Sequence, residues 1–133
     1  PAGGRAGGKT SSGQSSPRPA ARYTGRMPTS AIPTRHYLIL GRDAAGTAER
    51  RAAARPAHLA RLEALRAGGR LLLAGPLPAR DGVPPAEGGA QGSLIVAAFE
   101  DLAAARAWAE ADPYVAAGVY AAVEVLPFVP VLP

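Results

Sequence analysis

The stretch Leu94-Ile95-Val96-Ala97-Ala98-Phe99 is apolar at all six positions. A short run of this kind predicts a β-strand, and because side chains alternate across a sheet, it predicts a strand buried on both faces. The stretch Leu71-Leu72-Leu73-Ala74, which is followed by Gly75-Pro76, has the same character. Both faces of the resulting sheet therefore need a cover.

The residues before these two strands predict one further strand and one helix. Residues 37–40 form a short apolar run that Gly41 ends, which is typical of a strand. Residues 43–55 are polar and alanine-rich, and we expect a connection that is partly helical. Pro56 suits the first position of a helix, and the glycines at 68–69 end that helix.

The residues after Gly75-Pro76 predict a loop, a second helix and a last strand. Residues 77–92 hold four glycines and three prolines, which indicates a long loop, and loops of this length are often functional. Asp101 is placed to cap the second helix, and Asp112 precedes a proline at the start of a short helical turn. Residues 120–128 predict the last strand.

The predicted order is strand, helix, strand, strand, helix, strand. This is the ferredoxin-like βαββαβ plan, an α+β fold with two helices on one face of a four-stranded antiparallel sheet. Two helices cover only one face, whereas strands 71–74 and 94–99 are apolar on both. We therefore expect a homodimer in which a second copy covers the open sheet face, giving a dimeric α+β barrel.

The basic charge of the chain is confined to its start. Residues 1–35 hold six Lys and Arg residues and no acidic residue, whereas residues 36–133 hold nine arginines and ten carboxylates. The predicted domain therefore lacks the positive patch that a phosphate backbone requires, and we expect no nucleic-acid partner.

Residues 1–35 are rich in Gly, Ser and Pro and predict a disordered tail, because few large apolar groups are available for burial. A transit peptide would need an amphipathic stripe that this segment does not show. We expect residues 1–26 to be upstream of a native start at Met27. The domain is predicted at residues 36–128, with 129–133 as a C-terminal tail.

Several classes of protein and site are disfavoured by the composition. The chain has no cysteine and no apolar run of membrane-spanning length, so we expect a cytoplasmic protein without a membrane partner. Its two histidines, His36 and His58, have no carboxylate at metal-ligand spacing. The glycine-rich residues 88–92 precede a strand instead of following one, unlike a phosphate-binding loop. We expect neither a metal nor a cofactor.

Four short motifs resemble the YciI-like (YCII-related) family over residues 36–128. They are Arg55-Pro56-Ala57-His58-Leu59, Leu73-Ala74-Gly75-Pro76, Ala111-Asp112-Pro113-Tyr114 and Val123-Glu124-Val125-Leu126-Pro127-Phe128. The resemblance implies a dimeric α+β barrel with a His–Asp pair as the proposed active site, which corresponds here to His58 and Asp112. It leaves open whether the pair forms within one subunit or across the dimer.

The sequence gives each member of this pair two interpretations. At about 100° per residue, His58, Leu62 and Leu65 fall within about 60° of one another, so the imidazole faces the sheet. In the first turn of a helix the dipole would favour a neutral ring that accepts a proton, although a packed structural histidine is the alternative. Asp112 either orients this base or only caps a helix, and the two roles are compatible.

Three further residues are candidates for binding a substrate. Arg55 offers paired donors for a carboxylate, with a surface salt bridge as the alternative. Ser93 would orient a substrate oxygen, or would only provide a small residue at the start of a strand. Gly75 would shape the pocket wall through its backbone. Tyr114 and Tyr120 are expected to pack in the core or at its rim.

Two functions fit these observations. The first is a cofactor-independent enzyme that performs general acid–base chemistry on a small organic acid or lactone. The resemblance suggests a lyase or isomerase, because related dimeric barrels include muconolactone isomerases and chloromuconolactone dehalogenases. The second is a non-catalytic domain that binds a small ligand or serves as an accessory module.

Overall fold

The computed structural model describes residues 32–133. The candidate start at Met27 and the predicted tail up to residue 31 lie outside the described residues. The described elements, in chain order, are β1 (Arg35–Asp43), α1 (Ala48–Ala67), β2 (Leu71–Pro78), α2 (Pro85–Gly88), β3 (Ala90–Phe99), α3 (Leu102–Glu110), α4 (Pro113–Ala116) and β4 (Tyr120–Phe128).

The four strands form one antiparallel sheet in the order β2-β3-β1-β4. The two central strands, β1 and β3, each pair with a neighbouring strand on both sides. The long helices α1 and α3 join the strands as the βαββαβ plan requires, and α2 and α4 are single turns added to it. The predicted α+β, ferredoxin-like fold is confirmed.

The two faces of the sheet differ in their cover. The closed face packs against α1 and α3, and its buried side chains include Tyr37, Ile39, Ile95, Ala97 and Phe99, which contact Leu62, Leu65, Ala105 and Ala109. The opposite face, called here the open face, carries by strand alternation Leu38, Leu40, Leu73, Leu94, Val96, Leu126 and Phe128. Leu73 and Leu126 remain 49% and 51% exposed.

Helix α1 begins two turns earlier than the sequence predicts. It starts at Ala48, so that Pro56 lies inside the helix. A proline there removes one backbone donor and usually disfavours a helix interior. The first turns are nevertheless held to the sheet, because Arg51 donates hydrogen bonds to Asp43 on β1 and Ser93 on β3. Tertiary contacts therefore override the local signal of Pro56.

The predicted loop at 77–92 is shorter than expected. Strand β2 continues to Pro78 and β3 begins at Ala90, and the intervening residues 79–89 contain the turn α2. Gly92 lies within β3 and not in a loop. A Cβ on Gly92 would lie 2.2 Å from the carbonyl oxygen of Gly41 on β1, so this glycine allows two backbones to approach closely.

The second half of the domain follows the prediction. The Asp101 side chain accepts a hydrogen bond of 2.8 Å from the amide of Ala104 and caps α3. Strand β4 has the predicted bounds, Tyr120–Phe128. Among the described residues, no helix combines the length and the apolar character that a membrane span requires.

Candidate active site

His58 and Asp112 form a buried pair within one chain. His58 lies on α1 and Asp112 directly precedes α4, and they are 6% and 2% exposed. The imidazole Nδ1 lies 3.0 Å from Oδ1 and 2.9 Å from Oδ2 of the carboxylate. The sequence left open which subunit completes the pair, and the structure brings both members together in a single subunit.

Asp112 is held by the helix that it caps. Its Oδ1 accepts a hydrogen bond of 2.8 Å from the amide of Tyr114, and Pro113 occupies the first helical position. An ionised carboxylate only accepts hydrogen bonds, so Nδ1 of His58 is the donor. In a neutral imidazole the remaining nitrogen, Nε2, then carries the lone pair. The cap and the orientation of the imidazole are two effects of one carboxylate.

The tautomer of His58 is set by Asp112, and the helix dipole that was expected to favour a neutral ring does not reach it. Because α1 begins at Ala48, His58 lies about three turns into the helix. The dipole is effective only within the first turn, so the predicted influence of the helix N-terminus on His58 is wrong. The early start of α1 is the reason for this correction.

The ring of Tyr114 fixes the plane of the imidazole. It stacks on His58 with centroids 4.1 Å apart and an interplanar angle of 19°. The guanidinium carbon of Arg51 lies 4.6 Å from the centroid of the same ring. Arg51 and His58 are seven residues apart on α1, or about 10.5 Å along its axis, so Tyr114 fits between them. Burial raises the pKa of Tyr114, with Arg51 opposing the shift, so its hydroxyl stays protonated at neutral pH.

Arg51 is the site residue that the sequence reasoning missed. Its Nη1 donates to both carboxylate oxygens of Asp43 at 2.9 and 3.0 Å, and its Nη2 donates to Ser93 Oγ at 2.6 Å and to the Gly92 carbonyl at 3.1 Å. Burial raises the pKa of Asp43, and the attraction of Arg51 opposes that shift without cancelling it. Arg51 precedes His58 by seven residues, about two helical turns, so both lie on one side of α1. A predicted helix that began before Pro56 would therefore have placed Arg51 on the same side as His58.

Ser93 and Tyr120 extend this network. Ser93 is 3% exposed and already binds Arg51, so its hydroxyl is part of the scaffold as well as of the cavity wall. Burial raises the pKa of Tyr120 to about 12, and the neighbouring Ser93 side chain acts in the opposite direction. The Tyr120 ring lies where a Cβ on Gly41 would be, at 2.4 Å from that position, which explains the glycine in β1.

A cavity of about 920 Å³ adjoins the pair, between α1, β2, β3 and the residues of the 79–89 hairpin. Of the predicted site residues, His58, Arg55, Ser93 and Gly75 line this cavity, whereas Asp112 lies behind the imidazole. Most other lining residues are small, including Ala44, Gly46, Ala52, Ala74, Ala79, Ala86, Gly88, Gly89 and Ala90. The walls leave room for a ligand and supply few polar groups.

Arg55 differs from Arg51 although both lie on the same helix and line the same cavity. Arg55 is exposed, and its guanidinium forms no ion pair with any carboxylate of residues 32–133. The charge of Arg51 is neutralised by Asp43, and its Nη2 also donates to Ser93. The charge available to an incoming anion is therefore that of Arg55. Within residues 32–133, no three His, Asp or Glu side chains cluster as a metal site would require.

Comparison with known proteins identifies the same family that the sequence motifs resemble. The family model described as the YCII-related domain matches residues 36–129. Protein YciI of Escherichia coli is 56% identical over 92 residues, which cover 69% of this chain and 94% of that protein. An uncharacterized protein of Haemophilus influenzae is 54% identical over 93 residues, covering 70% and 95% of the two chains.

A solved structure also matches. It is 5-chloro-2-hydroxyhydroquinone dehydrochlorinase of Burkholderia phenoliruptrix in complex with 2,5-dihydroxybenzoquinone. The TM-score is 0.62 at 30% sequence identity, and the match covers 71% of this chain and 93% of that one. The fold is thus the one that dimeric α+β barrels share, as the sequence predicted.

Proposed function

Because the chain belongs to the YCII-related domain family, we propose that it is a cofactor-independent enzyme in which His58 is the general base. One observation carries the proposal. The Nδ1 of a buried imidazole is held at 2.9 Å by the Asp112 carboxylate, while the same residue lines a cavity with small walls. A base oriented in this way is the usual means of removing a proton from a bound molecule.

The proposed reaction begins with a proton transfer to His58. Nε2 of His58 takes a proton from an acidic carbon or hydroxyl of the substrate, and the released electron pair forms a new double bond. In a lyase, this expels a leaving group such as a halide from the neighbouring carbon. In an isomerase, His58 returns the proton to another carbon. In both, Asp112 stabilises the imidazolium that forms between the two steps.

The cavity supports a small acidic substrate. Arg55 provides one positive charge that no carboxylate of residues 32–133 pairs, which suits a single carboxylate, enolate or phenolate. The dehydrochlorinase that resembles this chain is recorded with a dihydroxybenzoquinone, a flat oxygenated ring. We therefore propose small organic acids, lactones and hydroxylated or chlorinated quinols as the substrate class.

The active form in this proposal is a homodimer. The open face is mostly apolar, with Glu124 beside Leu126 on β4, and Leu73 and Leu126 are about half exposed in the single chain. A second copy of the same face, packed on it across a twofold axis, would remove these side chains from water. Each subunit would keep a complete His58–Asp112 pair, because both residues come from one chain.

A test of the base uses both histidines of the chain. Solvent deuterium incorporation and turnover would be followed by NMR for the wild type, His58→Gln and His36→Gln, against a panel of lactones, enol acids and chlorinated quinols. Loss of a positioned general base lowers rates by roughly 10²–10⁴-fold. We expect this loss in His58→Gln only, with His36→Gln close to the wild type. Unchanged turnover in a folded His58→Gln protein would refute the proposal.

A non-catalytic ligand-binding or accessory domain is the second candidate. It is favoured by the observation that Asp112 also caps α4, so the pair has a structural use. In that case the panel would give thermal shifts without deuterium incorporation or turnover. His58→Gln would then lower stability and have no rate to change.

A further inference from the structure

Ser93 places a polar group in a dry part of the cavity wall. It lies on β3 opposite Gly41 of β1 and Pro76 of β2, and neither partner has a side chain that could bond a hydroxyl. Because side chains alternate along a strand, Ser93 points to the closed face, as Ile95 does. It is 3% exposed and lines the cavity that His58 also lines. A molecule in this cavity therefore meets the Ser93 hydroxyl with little competing water.

The hydrogen bond between Arg51 and Ser93 has a defined direction. Arg51 Nη2 lies 2.6 Å from Ser93 Oγ. A guanidinium has donors and no acceptor, so the serine oxygen accepts this bond and the serine hydrogen is left for a second partner. Before a substrate binds, the neighbouring Tyr120 phenol can take that hydrogen. A phenol is a weaker acceptor than an oxyanion, so a charged substrate oxygen would displace it.

Arg51 is held rigidly while it binds Ser93. Its Nη1 donates to both carboxylate oxygens of Asp43 at 2.9 and 3.0 Å, and its Nη2 also donates to the Gly92 carbonyl at 3.1 Å. A hydroxyl that accepts a hydrogen bond from a cation becomes a stronger donor, because linked hydrogen bonds polarise one another. Both terminal nitrogens of Arg51 are already bonded to the protein. Arg51 therefore acts on a bound molecule through Ser93.

The ring of Tyr114 relates this polarised hydroxyl to the base. The guanidinium carbon of Arg51 lies 4.6 Å from the centroid of the Tyr114 ring, and the imidazole of His58 lies 4.1 Å from the same centroid. One aromatic ring therefore separates the group that holds Ser93 from the group that accepts a proton. This spacing suits a substrate of about the size of one ring, with a reacting carbon near His58 and an oxygen near Ser93.

We propose that Ser93, polarised by Arg51, is a second catalytic residue that donates a hydrogen bond to the substrate oxygen on which negative charge forms. The inference rests on the proposed function of His58 as a base. When Nε2 of His58 removes a proton from carbon, the C–H electron pair forms a C=C bond and the π pair of the adjacent carbonyl moves to its oxygen. Ser93 keeps its own proton and stabilises this oxyanion, which a preorganised donor does best. The substrate class narrows to carbonyl compounds that have an acidic C–H beside the carbonyl.

The experiment uses a stable oxyanion in place of the unidentified enolate. Binding of 4-nitrophenolate to the full chain would be followed at alkaline pH by its absorption band, with nitrobenzene as the neutral probe followed by calorimetry. The variants are Ser93→Ala, Arg51→Lys and Thr47→Val. Thr47→Val is the matched control, because it removes another buried hydroxyl, one whose hydrogen is already donated to the Ala44 carbonyl at 2.8 Å.

In the wild type we expect the band of bound 4-nitrophenolate at shorter wavelength than that of the free ion, because a donated hydrogen bond holds charge on the oxygen. Ser93→Ala should lose most of this shift and raise the Kd for phenolate about tenfold, with the Kd for nitrobenzene unchanged. Arg51→Lys keeps the charge but not the fork that reaches both Asp43 and Ser93, so it should raise the Kd for phenolate about threefold. Thr47→Val should stay close to the wild type.

Four results would overturn the proposal. They are a wild type that does not bind phenolate, an unchanged Kd and spectrum in folded Ser93→Ala, an equal rise of Kd in Thr47→Val, and an equal loss of nitrobenzene binding. If Ser93→Ala does not fold, Ser93→Cys decides by the same criteria, because its thiol is of similar size and only a weak donor.

Turnover gives a second measurement, which separates this proposal from the proposed function. Ser93→Ala should lower kcat by about 10²–10³-fold and leave KM within about twofold, because the hydrogen bond strengthens only as charge forms on the oxygen. A raised KM with unchanged kcat would mean that Ser93 only binds the substrate and would contradict the catalytic role. The phenolate measurement needs no turnover. A chain that proves not to be an enzyme therefore refutes the proposed function, while the spectrum still decides whether Ser93 donates to an oxyanion.

Discussion

The closed and open faces of the sheet are built from the same kinds of residue, yet they differ in what covers them. Phe99 of β3 belongs to the closed face and is 1% exposed, whereas Phe128 of β4 belongs to the open face and is 37% exposed. The closed face is covered by the helices α1 and α3 of its own chain, and α1 also carries His58 and Arg51. Apolar character alone thus marks a surface for burial without saying which partner buries it.

Two phenylalanine truncations sharpen this difference, and they carry the largest expected effect. Phe99→Ala removes a buried ring from the closed face and should lower the free energy of unfolding by about 3–5 kcal/mol. Phe128→Ala should lower it by less than about 1 kcal/mol in dilute protein, because the ring is already partly in water. Urea unfolding at several protein concentrations measures both. Equal losses at low concentration would contradict the contrast between the faces.

A charge on the open face tests whether a second copy covers it. Leu126→Arg should weaken self-association by about 100-fold in Kd, because burying the long charged side chain in a mostly apolar contact costs desolvation. The chain should stay folded, since this side chain is 51% exposed in a single subunit. Sedimentation equilibrium gives the oligomeric state.

Val115→Arg is the control for this substitution, because Val115 is 36% exposed but lies on α4, away from the open face. It should leave self-association unchanged. If Leu126→Arg associates as the wild type does, or if the wild type is monomeric throughout, the open face is not a dimer interface.

The smallest expected effect concerns the burial of the Tyr120 hydroxyl and its effect on stability at high pH. Burial raises the pKa of Tyr120 to about 12. The unfolded chain releases this proton near its ordinary pKa of about 10, so the stabilisation is complete below pH 10 and is lost as the pH rises toward 12. In Tyr120→Phe, the free energy of unfolding should therefore decline less between pH 10 and pH 12 than in the wild type. Parallel declines in urea titrations would show that the phenol is not buried as described.

The fold was largely predictable because its signals are short and independent. Each strand is marked by a run of apolar residues, and the start of α3 is marked by Asp101, which caps it as expected. Glycine and proline were the misleading residues. Pro56 predicts a helix start and Gly92 predicts a loop, but Pro56 lies inside α1 and Gly92 lies within β3. In each case contacts with a distant strand override the local preference.

The site was predictable in part. His58 and Asp112 were identified from their motifs, and Arg55, Ser93 and Gly75 do line the cavity. Arg51 was not identified, because an arginine on a polar helix face is ordinary in sequence. Its importance comes from Ser93, a partner that lies 42 residues away in the chain.

The sequence by itself determined the order of the elements and the apolar character of two strands on both sheet faces, whereas the candidate dyad came from the resemblance of its motifs to a known family. These properties depend on local patterns of side chains, which can be read without knowing the partners. Only the tertiary structure decided that the dyad forms within one chain, that α1 reaches back to Ala48, and that Arg51 is occupied while Arg55 is available. These are properties of pairs that lie far apart in the chain, and only folding brings such pairs to hydrogen-bonding distance.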